Sequence, residues 1–248
     1  DMNAAAVDRL MLKSRLRKAF EKNELRVHYQ PKIDLRDGSI AGAEALVRWE
    51  LTDRGLVLPA EFIPLAEESN LILELGEWVL DRVCRDYRSL RDSDINPGRI
   101  SVNLSLRQLK QRDFISRVTG ICSKHGVSPD SLELEITETT LMEDPVRTTR
   151  ILTELHQMGL RLAIDDFGTG YSSLSALQQF PITTLKIDQS FVRHATTGHD
   201  QATIVALIIE MGHTLRLDVV AEGVESEEQL RFLKALNCDY AQGLLFGR

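Results

Sequence analysis

The sequence predicts an α/β protein that folds as a single TIM-type (β/α)8 barrel, and three observations predict this fold. The chain has 248 residues, the usual size of one such barrel. Short apolar runs typical of strands alternate with helical patterns along the chain, which favours parallel strands joined by helices. About eight such runs occur, and this number fits a closed barrel better than an open sheet.

The predicted strands are short runs rich in apolar and β-branched residues. They lie at Leu25–Ile33, Ala41–Trp49, Ile100–Leu104, Leu132–Thr137, Leu160–Phe167, Thr184–Asp188, Asp218–Ala221 and Asp239–Leu244. After an amphipathic N-terminal helix at about Ala5–Lys22, the predicted helices lie at Leu75–Leu90, Phe114–His125, Val146–Met158, Leu174–Phe180, Gln201–Leu215 and Ser226–Leu236. The segment Glu50–Pro59 is predicted to be a long loop.

Local signals mark several helix ends. Asp144 precedes Pro145, which predicts a capped helix start. Gly159 is predicted to end that helix. Ser226 and Gln229 form the S-x-x-Q pattern of a capping box.

Composition and net charge limit the classes of function that this chain can have. Apolar residues make up 43% of the chain, which is enough for the core of one soluble domain. The formal net charge is −7, which argues against a nonspecific nucleic-acid binder, and no DNA partner is expected. An anionic substrate is still compatible, because bound cations can reverse the local sign of the charge.

The cysteines and the apolar runs predict a cytoplasmic domain. Cys84, Cys122 and Cys238 are far apart and form no C-x-x-C pair, so we expect them to be core thiols in a reducing cytosol. The sequence shows no signal peptide, and no run approaches the ~18 apolar residues of a membrane span. Membrane anchoring of a longer protein is left open.

Polar residues stand at or near the ends of nearly all the predicted strands, where apolar residues would be expected. They are Gln30, Glu44, Asn103, Glu135, Asp165, Asp166, Lys186, Asp188, Glu222 and Gln242. Unpaired charges at barrel-strand positions would cost several kcal/mol each. In a TIM barrel the C-terminal strand ends meet at one face, so the pattern predicts an acidic active site there.

Such a cluster of carboxylates would repel itself unless cations are bound. Its ligands are hard oxygens, which favour Mg²⁺, Mn²⁺ or Ca²⁺. The six histidines form no zinc-binding pair. Asp165 and Asp166 are adjacent, so one carboxylate could bridge two ions while the other binds one of them. Two ions would serve phosphoryl transfer.

Each residue taken alone also has an ordinary structural interpretation. Glu44 could be a cap or a salt-bridge partner, and Asn103 a turn former. Asp165-Asp166 could belong to a turn before the next helix, and Lys186 could be a surface lysine whose stem snorkels. The occurrence of one polar group at each strand end favours the active site.

Eight motifs in order resemble those of EAL-domain cyclic di-GMP phosphodiesterases, and they cover almost the whole chain. The motifs are Glu44-Ala45-Leu46 with Val47-Arg48-Trp49, Tyr29–Pro31, Ser101–Ser105, Leu134–Glu138, Asp165–Leu174, Leu185–Asp188, Val220–Glu225 and Gln242-Gly243. The resemblance implies the EAL variant of the barrel. It also implies hydrolysis of cyclic di-GMP to linear pGpG in bacterial signalling, including biofilm control, with two Mg²⁺ or Mn²⁺ ions.

The resemblance further implies a role for each site residue. Glu44, Asn103, Glu135 and Asp165 would hold one metal ion, and Asp165, Asp166 and Glu222 the other. Lys186 would bind the attacking water. Substrate contacts would come from Gln30, Arg48 and Gln242. Glu138 would fix the position of the glycine-rich loop that contains Gly168 and Gly170. Glu225 would support the residues that contact the metal ions or the substrate.

Some positions depart from the family pattern. Leu51-Thr52 stands where the family often has His-Pro, and Leu244 stands where an aromatic residue is common. None of these is a metal or water ligand, so we expect effects on substrate affinity or loop rigidity only. Residues 1–22 resemble the connector after a GGDEF domain, with the barrel at 23–248. The chain is therefore expected to be a module of a longer protein with GGDEF or sensory domains. The resemblance to the family, and nothing else in the sequence, implies that it forms a homodimer.

Two other functions are compatible with parts of the pattern. A catalytically silent receptor would bind cyclic di-GMP without cleaving it, but such relatives usually lose metal ligands or the glycine-rich loop, and both are present here. An unrelated metal-dependent TIM-barrel enzyme, such as an enolising lyase, would explain the carboxylates but not the spaced motifs.

Overall fold

Eight strands close into a barrel in the computed structural model, which describes residues 2–169 and 177–247. The strands are β1 (Leu25–Asp34), β2 (Ile40–Leu51), β3 (Gly55–Val57), β4 (Arg99–Asn103), β5 (Leu132–Thr137), β6 (Arg161–Phe167), β7 (Thr184–Ile187), β8 (Asp218–Ala221) and β9 (Tyr240–Gln242). Their order around the barrel is β1-β9-β8-β7-β6-β5-β4-β2, and β1 pairs with β2 to close it, while β3 is an outer addition to β2. The predicted TIM-type barrel is confirmed.

Helices follow most of the strands, as predicted. They are α1 (Met2–Ala19), α2 (Pro59–Glu68), α3 (Leu71–Asp92), α4 (Leu106–Leu109), α5 (Phe114–His125), α6 (Glu138–Glu143), α7 (Pro145–Gln157), α8 (Gln189–His194), α9 (His199–Thr214) and α10 (Glu227–Ala235). Most of the predicted helix Leu174–Phe180 lies outside the described residues.

The first strand is not parallel to its neighbours, although parallel strands were predicted throughout the barrel. β1 runs antiparallel to both of its neighbours, β2 and β9. Only residues 35–39 connect β1 to β2, with Gly38 at a φ of +78°. A parallel connection needs a crossover of a dozen or more residues, so this short turn forces a hairpin.

The predicted loop Glu50–Pro59 is wrong in part, because β2 continues to Leu51 and β3 pairs with it. Pro59 then begins α2, a helix that the sequence pattern did not indicate. Pro64 lies inside α2, and a proline there normally argues against a helix. Burial of Phe62 stabilises α2, and its ring packs edge-to-face on Trp49 at a centroid distance of 5.8 Å.

The predicted helix signals around α7 and α10 are confirmed. Asp144 Oδ1 accepts a hydrogen bond from the Arg147 amide at 3.2 Å, which caps α7. Gly159 follows α7 with a φ of +98°. Ser226 and Gln229 form the expected capping box at the start of α10.

The N-terminal helix α1 packs on α2 rather than extending away from the barrel. Leu12, Leu16 and Ala19 are buried in this contact region, and Arg15 pairs with Asp53. The division of the chain at residue 22 into a connector and a barrel stays a prediction. No helix among the described residues combines the length and apolar character of a membrane span.

Candidate active site

Polar side chains from separate strands meet where the parallel strands of the barrel end. The predicted residues found there are Gln30 on β1, Glu44 on β2, Asn103 on β4, Glu135 on β5, Asp165 on β6, Lys186 on β7, Glu222 just after β8 and Gln242 on β9. The ladder pairs Gln30 with Glu44 and Asn103 with Glu135. Closure of the barrel therefore brings residues that are distant in sequence into one cluster.

Lys186 lies at the centre of this cluster and is fully buried. Its Nζ is 2.5 Å from Glu135 Oε2 and 2.7 Å from Glu222 Oε1. The same atom is 2.9 Å from Asp165 Oδ1 and 3.3 Å from Glu44 Oε2. One ammonium group thus faces four carboxylates, which leaves an excess of negative charge.

Amide side chains hold Glu44 in place. Asn103 Nδ2 donates to Glu44 Oε1 at 2.7 Å. Gln242 Nε2 donates to Glu44 Oε2 at 2.5 Å and to Gln30 Oε1 at 2.9 Å. The orientation of the Glu44 carboxylate is therefore fixed from both sides before any ligand binds.

The carboxylates of Asp165, Asp166 and Glu222 form a second grouping. One oxygen from each residue lies within 4.8 Å of the other two. Successive side chains on a regular strand point to opposite faces, so Asp165 and Asp166 would normally point apart. Here the pairing of β6 with β7 shifts register between Ile164 and Phe167, and Asp166 has a φ of +53°. Such a bulge re-aims a side chain, and it lets both carboxylates reach one place.

The pKa values in the cluster reflect this crowding. Burial raises the pKa of Glu222 to about 7; the charges of Asp165 and Glu44 add to the effect, and Lys186 opposes it. Burial and the Asp165 charge likewise raise the pKa of Asp166 to about 6. Burial alone would lower the pKa of Lys186, but the surrounding carboxylates outweigh it and raise that pKa well above its ordinary value. The carboxylates around Lys186 therefore favour its protonated form.

The donor set of the cluster fits hard divalent cations. The grouping of Asp165, Asp166 and Glu222 contains only carboxylates, which are ligands preferred by Mg²⁺ and Mn²⁺. Glu135 Oε1 is buried and accepts no hydrogen bond from the described residues. A buried acceptor without a partner is costly, and a cation would satisfy it.

The two predicted ligand sets differ in how they are arranged. Asp165, Asp166 and Glu222, predicted for the second ion, form the grouping just described. In the set predicted for the first ion, Glu44, Glu135 and Asp165 converge on Lys186, and Asn103 bonds to Glu44. The assignment of each residue to an ion stays a prediction.

Glu138, at the start of α6, contacts Gly168, the residue directly after β6. Glu138 is buried, and its Oε2 accepts a hydrogen bond from the Gly168 amide at 3.2 Å. Gly168 has a φ of +98°, and a β-carbon there would lie 2.8 Å from Phe191 Cε2. The position therefore requires glycine, for its conformation and for space. The role of Glu138 in holding the whole glycine-rich loop stays a prediction, and Gly170 lies outside the described residues.

Arg48 stands at the rim of the site, two residues beyond Leu46 and four beyond Glu44 on the same face of β2. Its guanidinium is half-buried and donates to the Val47 carbonyl at 3.0 Å. A cavity of about 520 Å³ opens beside Asn103, between β2, β4, α2 and α3. Its walls are mostly apolar and include Val47, Ile63 and Ile72.

Glu225 is placed apart from the cluster. Its side chain is exposed and lies 3.7 Å from Arg193 on α8. Within the described part of the chain, no hydrogen bond or ion pair joins it to the carboxylates around Lys186. Its role in supporting the site stays a prediction.

Sequence reasoning missed two charged residues inside the barrel, Lys32 and Glu133. Both are buried, and Lys32 Nζ lies 2.6 Å from Glu133 Oε1. The signal was available, because Glu133 precedes Glu135 by two residues and therefore shares its face of β5.

Comparisons with known proteins agree with the geometry. The model of the EAL domain family matches residues 13–248. The bifunctional diguanylate cyclase/cyclic di-GMP phosphodiesterase MucR of Pseudomonas aeruginosa is 44% identical over 247 residues, which is 100% of this chain and 36% of that protein. The cyclic di-GMP phosphodiesterase NbdA of Pseudomonas aeruginosa is 41% identical over 243 residues, 98% of this chain and 31% of that protein.

A solved structure of the PaMucR phosphodiesterase in complex with c-di-GMP has the same fold. It superposes with a TM-score of 0.93 at 44% identity and covers 96% of both chains. The chain spans about a third of the length of the curated relatives MucR and NbdA.

Proposed function

This chain belongs to the EAL domain family, and from that membership we propose that it is a phosphodiesterase that hydrolyses cyclic di-GMP to linear pGpG. The relatives named as cyclic di-GMP phosphodiesterases support this proposal. The observation that carries it is the buried Lys186 ammonium among four carboxylates, beside the Asp165, Asp166 and Glu222 grouping. This arrangement suits a dianionic phosphodiester substrate only when cations are added.

In this proposal two Mg²⁺ or Mn²⁺ ions bind the carboxylates. Glu44, Asn103, Glu135 and Asp165 would hold one, and Asp165, Asp166 and Glu222 the other. Bound cations of this kind supply a more acidic attacking water and offset charge on the phosphate.

Lys186 acts as a hydrogen-bond donor in the proposed reaction. Its ammonium group lies within hydrogen-bond distance of the carboxylates proposed as metal ligands, so in this proposal it orients the attacking water beside them. The water oxygen forms a bond to one phosphorus in line with the ester bond that breaks. The 3′ oxygen leaves and gains a proton, and the ring opens to give a 5′-phosphate. Glu44 contributes by keeping its carboxylate oriented between Asn103 and Gln242.

Substrate contacts are proposed for residues at the rim of the site. Gln30 and Gln242 lie next to Glu44, where Gln30 Nε2 and Gln242 Oε1 can bond to the substrate, since Gln242 Nε2 already donates to Glu44 and Gln30. Arg48 forms no ion pair within the described residues, so its charge is available to an anion. The apolar cavity of about 520 Å³ beside Asn103 falls in the size range of small-molecule pockets, and we assign one guanine base to it.

The proposed chemistry is tested by hydrolysis of cyclic di-GMP followed by chromatography. With Mn²⁺ we expect conversion to pGpG, and with EDTA we expect none. Glu44→Gln should lower the rate at least ~100-fold, since it alters a ligand. Glu227→Gln, on an exposed residue of α10, is the control and should keep the wild-type rate. Binding of cyclic di-GMP without any pGpG would instead favour the silent receptor.

The larger assembly is also part of the proposal. Because the named relatives are about three times as long, we infer that this chain works as a module beside GGDEF or sensory domains in the cytoplasm. We also infer a homodimer. Ile204 and Leu207 on α9 are exposed and apolar, which supports an interface on that face. Light scattering of the purified chain would measure its oligomeric state.

A further inference from the structure

A second polar layer lies inside the barrel, beneath the carboxylate cluster. It consists of Lys32, Ser101, Glu133 and Thr184, all of them buried. Each stands two residues from a site residue on the same strand: Lys32 from Gln30, Ser101 from Asn103, Glu133 from Glu135 and Thr184 from Lys186. Side chains two residues apart share one face, about 7 Å apart along the strand. These four residues are called the lower layer.

The hydrogen bonds of the lower layer centre on Glu133. Its Oε1 accepts from Lys32 Nζ at 2.6 Å and from Ser101 Oγ at 2.8 Å. Its Oε2 accepts from Thr184 Oγ1 at 2.6 Å. Lys32 Nζ also donates to Ser101 Oγ at 3.1 Å. Both carboxylate oxygens are therefore satisfied, and one residue ties together β1, β4, β5 and β7.

Stability alone is a poor reason for this arrangement. Removing two charges from water is costly, and apolar residues of similar volume are often as stable or more so in such a place. The lower layer does, however, fix the four strands that carry Gln30, Asn103, Glu135 and Lys186 above it. It also places a fixed positive charge beneath the most buried carboxylate of the site, Glu135, which is only 1% exposed.

We propose that Lys32 and Glu133 are positioning residues for the metal site. Through its hydrogen bond to Thr184, Glu133 fixes the position of β5 relative to β7 along the strand direction. It thereby fixes the distance between Glu135 and Lys186. Lys32 holds Glu133 and offsets negative charge from below. This inference rests on one part of the proposed function, namely that the carboxylate cluster around Lys186 binds the cations.

The test replaces both charges at once, so that no unpaired charge is left in the barrel. The variant is Lys32→Met/Glu133→Met, and the control carries the same substitutions in the exposed pair of Lys110 and Glu143, which lie 2.7 Å apart. Mn²⁺ affinity is measured by calorimetry without nucleotide, together with the melting temperature, kcat and KM. We expect the buried double variant to melt near the wild-type temperature. Its Mn²⁺ affinity should fall ~10-fold or more and its kcat should fall with it, at a KM within twofold of wild type.

Wild-type Mn²⁺ affinity and kcat in the buried double variant would overturn the proposal and leave the pair a purely structural role. If that variant does not fold, Ser101→Ala/Thr184→Val removes the two hydroxyl donors instead. We expect a smaller loss of Mn²⁺ affinity there, and no loss would overturn the proposal equally. A wild-type protein that binds Mn²⁺ but does not cleave cyclic di-GMP would refute the proposed function. In that case the Mn²⁺ affinities of the wild type and the buried double variant still decide whether this inference holds.

Discussion

Lys186 balances part of the negative charge of the carboxylates that surround it. Replacing it by methionine leaves Glu44, Glu135, Asp165 and Glu222 facing one another without a cation. Removing one partner of a buried ionic cluster costs about 3–5 kcal/mol. We therefore expect Lys186→Met to melt at a lower temperature in EDTA, and to gain more from added Mg²⁺ than the wild type does.

Thermal melts in EDTA and in Mg²⁺ measure both effects. Lys234→Met is the matched control, because Lys234 is an exposed lysine in the last turn of α10. Equal melting temperatures for Lys186→Met and wild type in EDTA would show that the ammonium does not balance these carboxylates.

The cysteines behave as the sequence predicted, as buried thiols without a disulfide. Burial, with the nearby charge of Asp239, raises the pKa of Cys238 to about 12. Only the thiolate reacts with iodoacetamide, so reactivity at Cys238 should stay negligible from pH 6 to 9 and rise only toward pH 12. Mass spectrometry should find no label on native Cys238 at pH 8 and full label in denaturant. Rapid labelling of the native protein would contradict its burial.

At this scale the sequence predicted much of the site, because an ionisable or amide residue at a strand end is conspicuous among apolar neighbours. Glu135 and Lys186 are such cases, whereas Glu44 lies inside the longer strand β2. The meeting of Asp165 and Asp166 depends on a bulge, which strict alternation does not foresee. Glu133 was missed because it is the second residue of β5, away from the C-terminal strand end, although it shares the face of Glu135.

Among the elements, the segment directly after β6 is constrained in two ways at Gly168. Gly168→Ala would combine an unfavourable φ of +98° with a contact of 2.8 Å to Phe191. We expect a stability loss of about 1–2 kcal/mol. We also expect a ~10- to 100-fold loss of hydrolysis, because the neighbouring Asp166 would move.

Variants at two other glycines separate the effect of the backbone φ angle from the effect of the contact with Phe191. Gly38→Ala has a similar φ of +78° but open space around it, so it should lose stability and keep its activity. Gly120→Ala lies in helix α5 with open space and should gain up to ~1 kcal/mol. The interpretation fails if Gly38→Ala lowers the rate of hydrolysis as much as Gly168→Ala does.

Most of the long helices and inner strands were predictable, because their apolar periodicity is strong. Helix α5 has the predicted bounds, Phe114–His125. Helix α2 was missed because Pro64 interrupts its pattern, and the tertiary contact of Phe62 with Trp49 outweighs that signal. The short helices α4, α6 and α8 have four to six residues, too few to show a period.

For the whole molecule, divalent cations should stabilise the fold. A ligand that binds only the native state at 100 times its Kd adds about 2.7 kcal/mol. For a protein of 248 residues this corresponds to a rise in melting temperature of about 5–10 °C. Melts with Mg²⁺ or Mn²⁺ should show this rise, and EDTA should reverse it.

The variant Asp166→Asn/Glu222→Gln should reduce that rise, because it removes two of the three grouped carboxylates. Glu227→Gln on exposed α10 should keep it. The absence of any shift in the wild type, or an equal shift in all three proteins, would show that these carboxylates are not the stabilising site.

The closed barrel was predictable from the number and alternation of the apolar runs. The reversed direction of β1 was also within reach, since only a few residues separate the first two predicted strands. The packing of α1 on α2 was not, because an amphipathic helix shows that it has a partner but not which one.

The hydrogen bond from Gln242 Nε2 to Gln30 Oε1, at 2.9 Å, joins residues separated by 212 positions. It therefore forms only after the last strand has taken its place beside the first. Glu44, on the second strand of the barrel, likewise gains its Gln242 donor only when β9 is in place. A truncation before β9 would remove this donor, so we expect it to leave the Glu44 carboxylate held by Asn103 alone among the amide side chains.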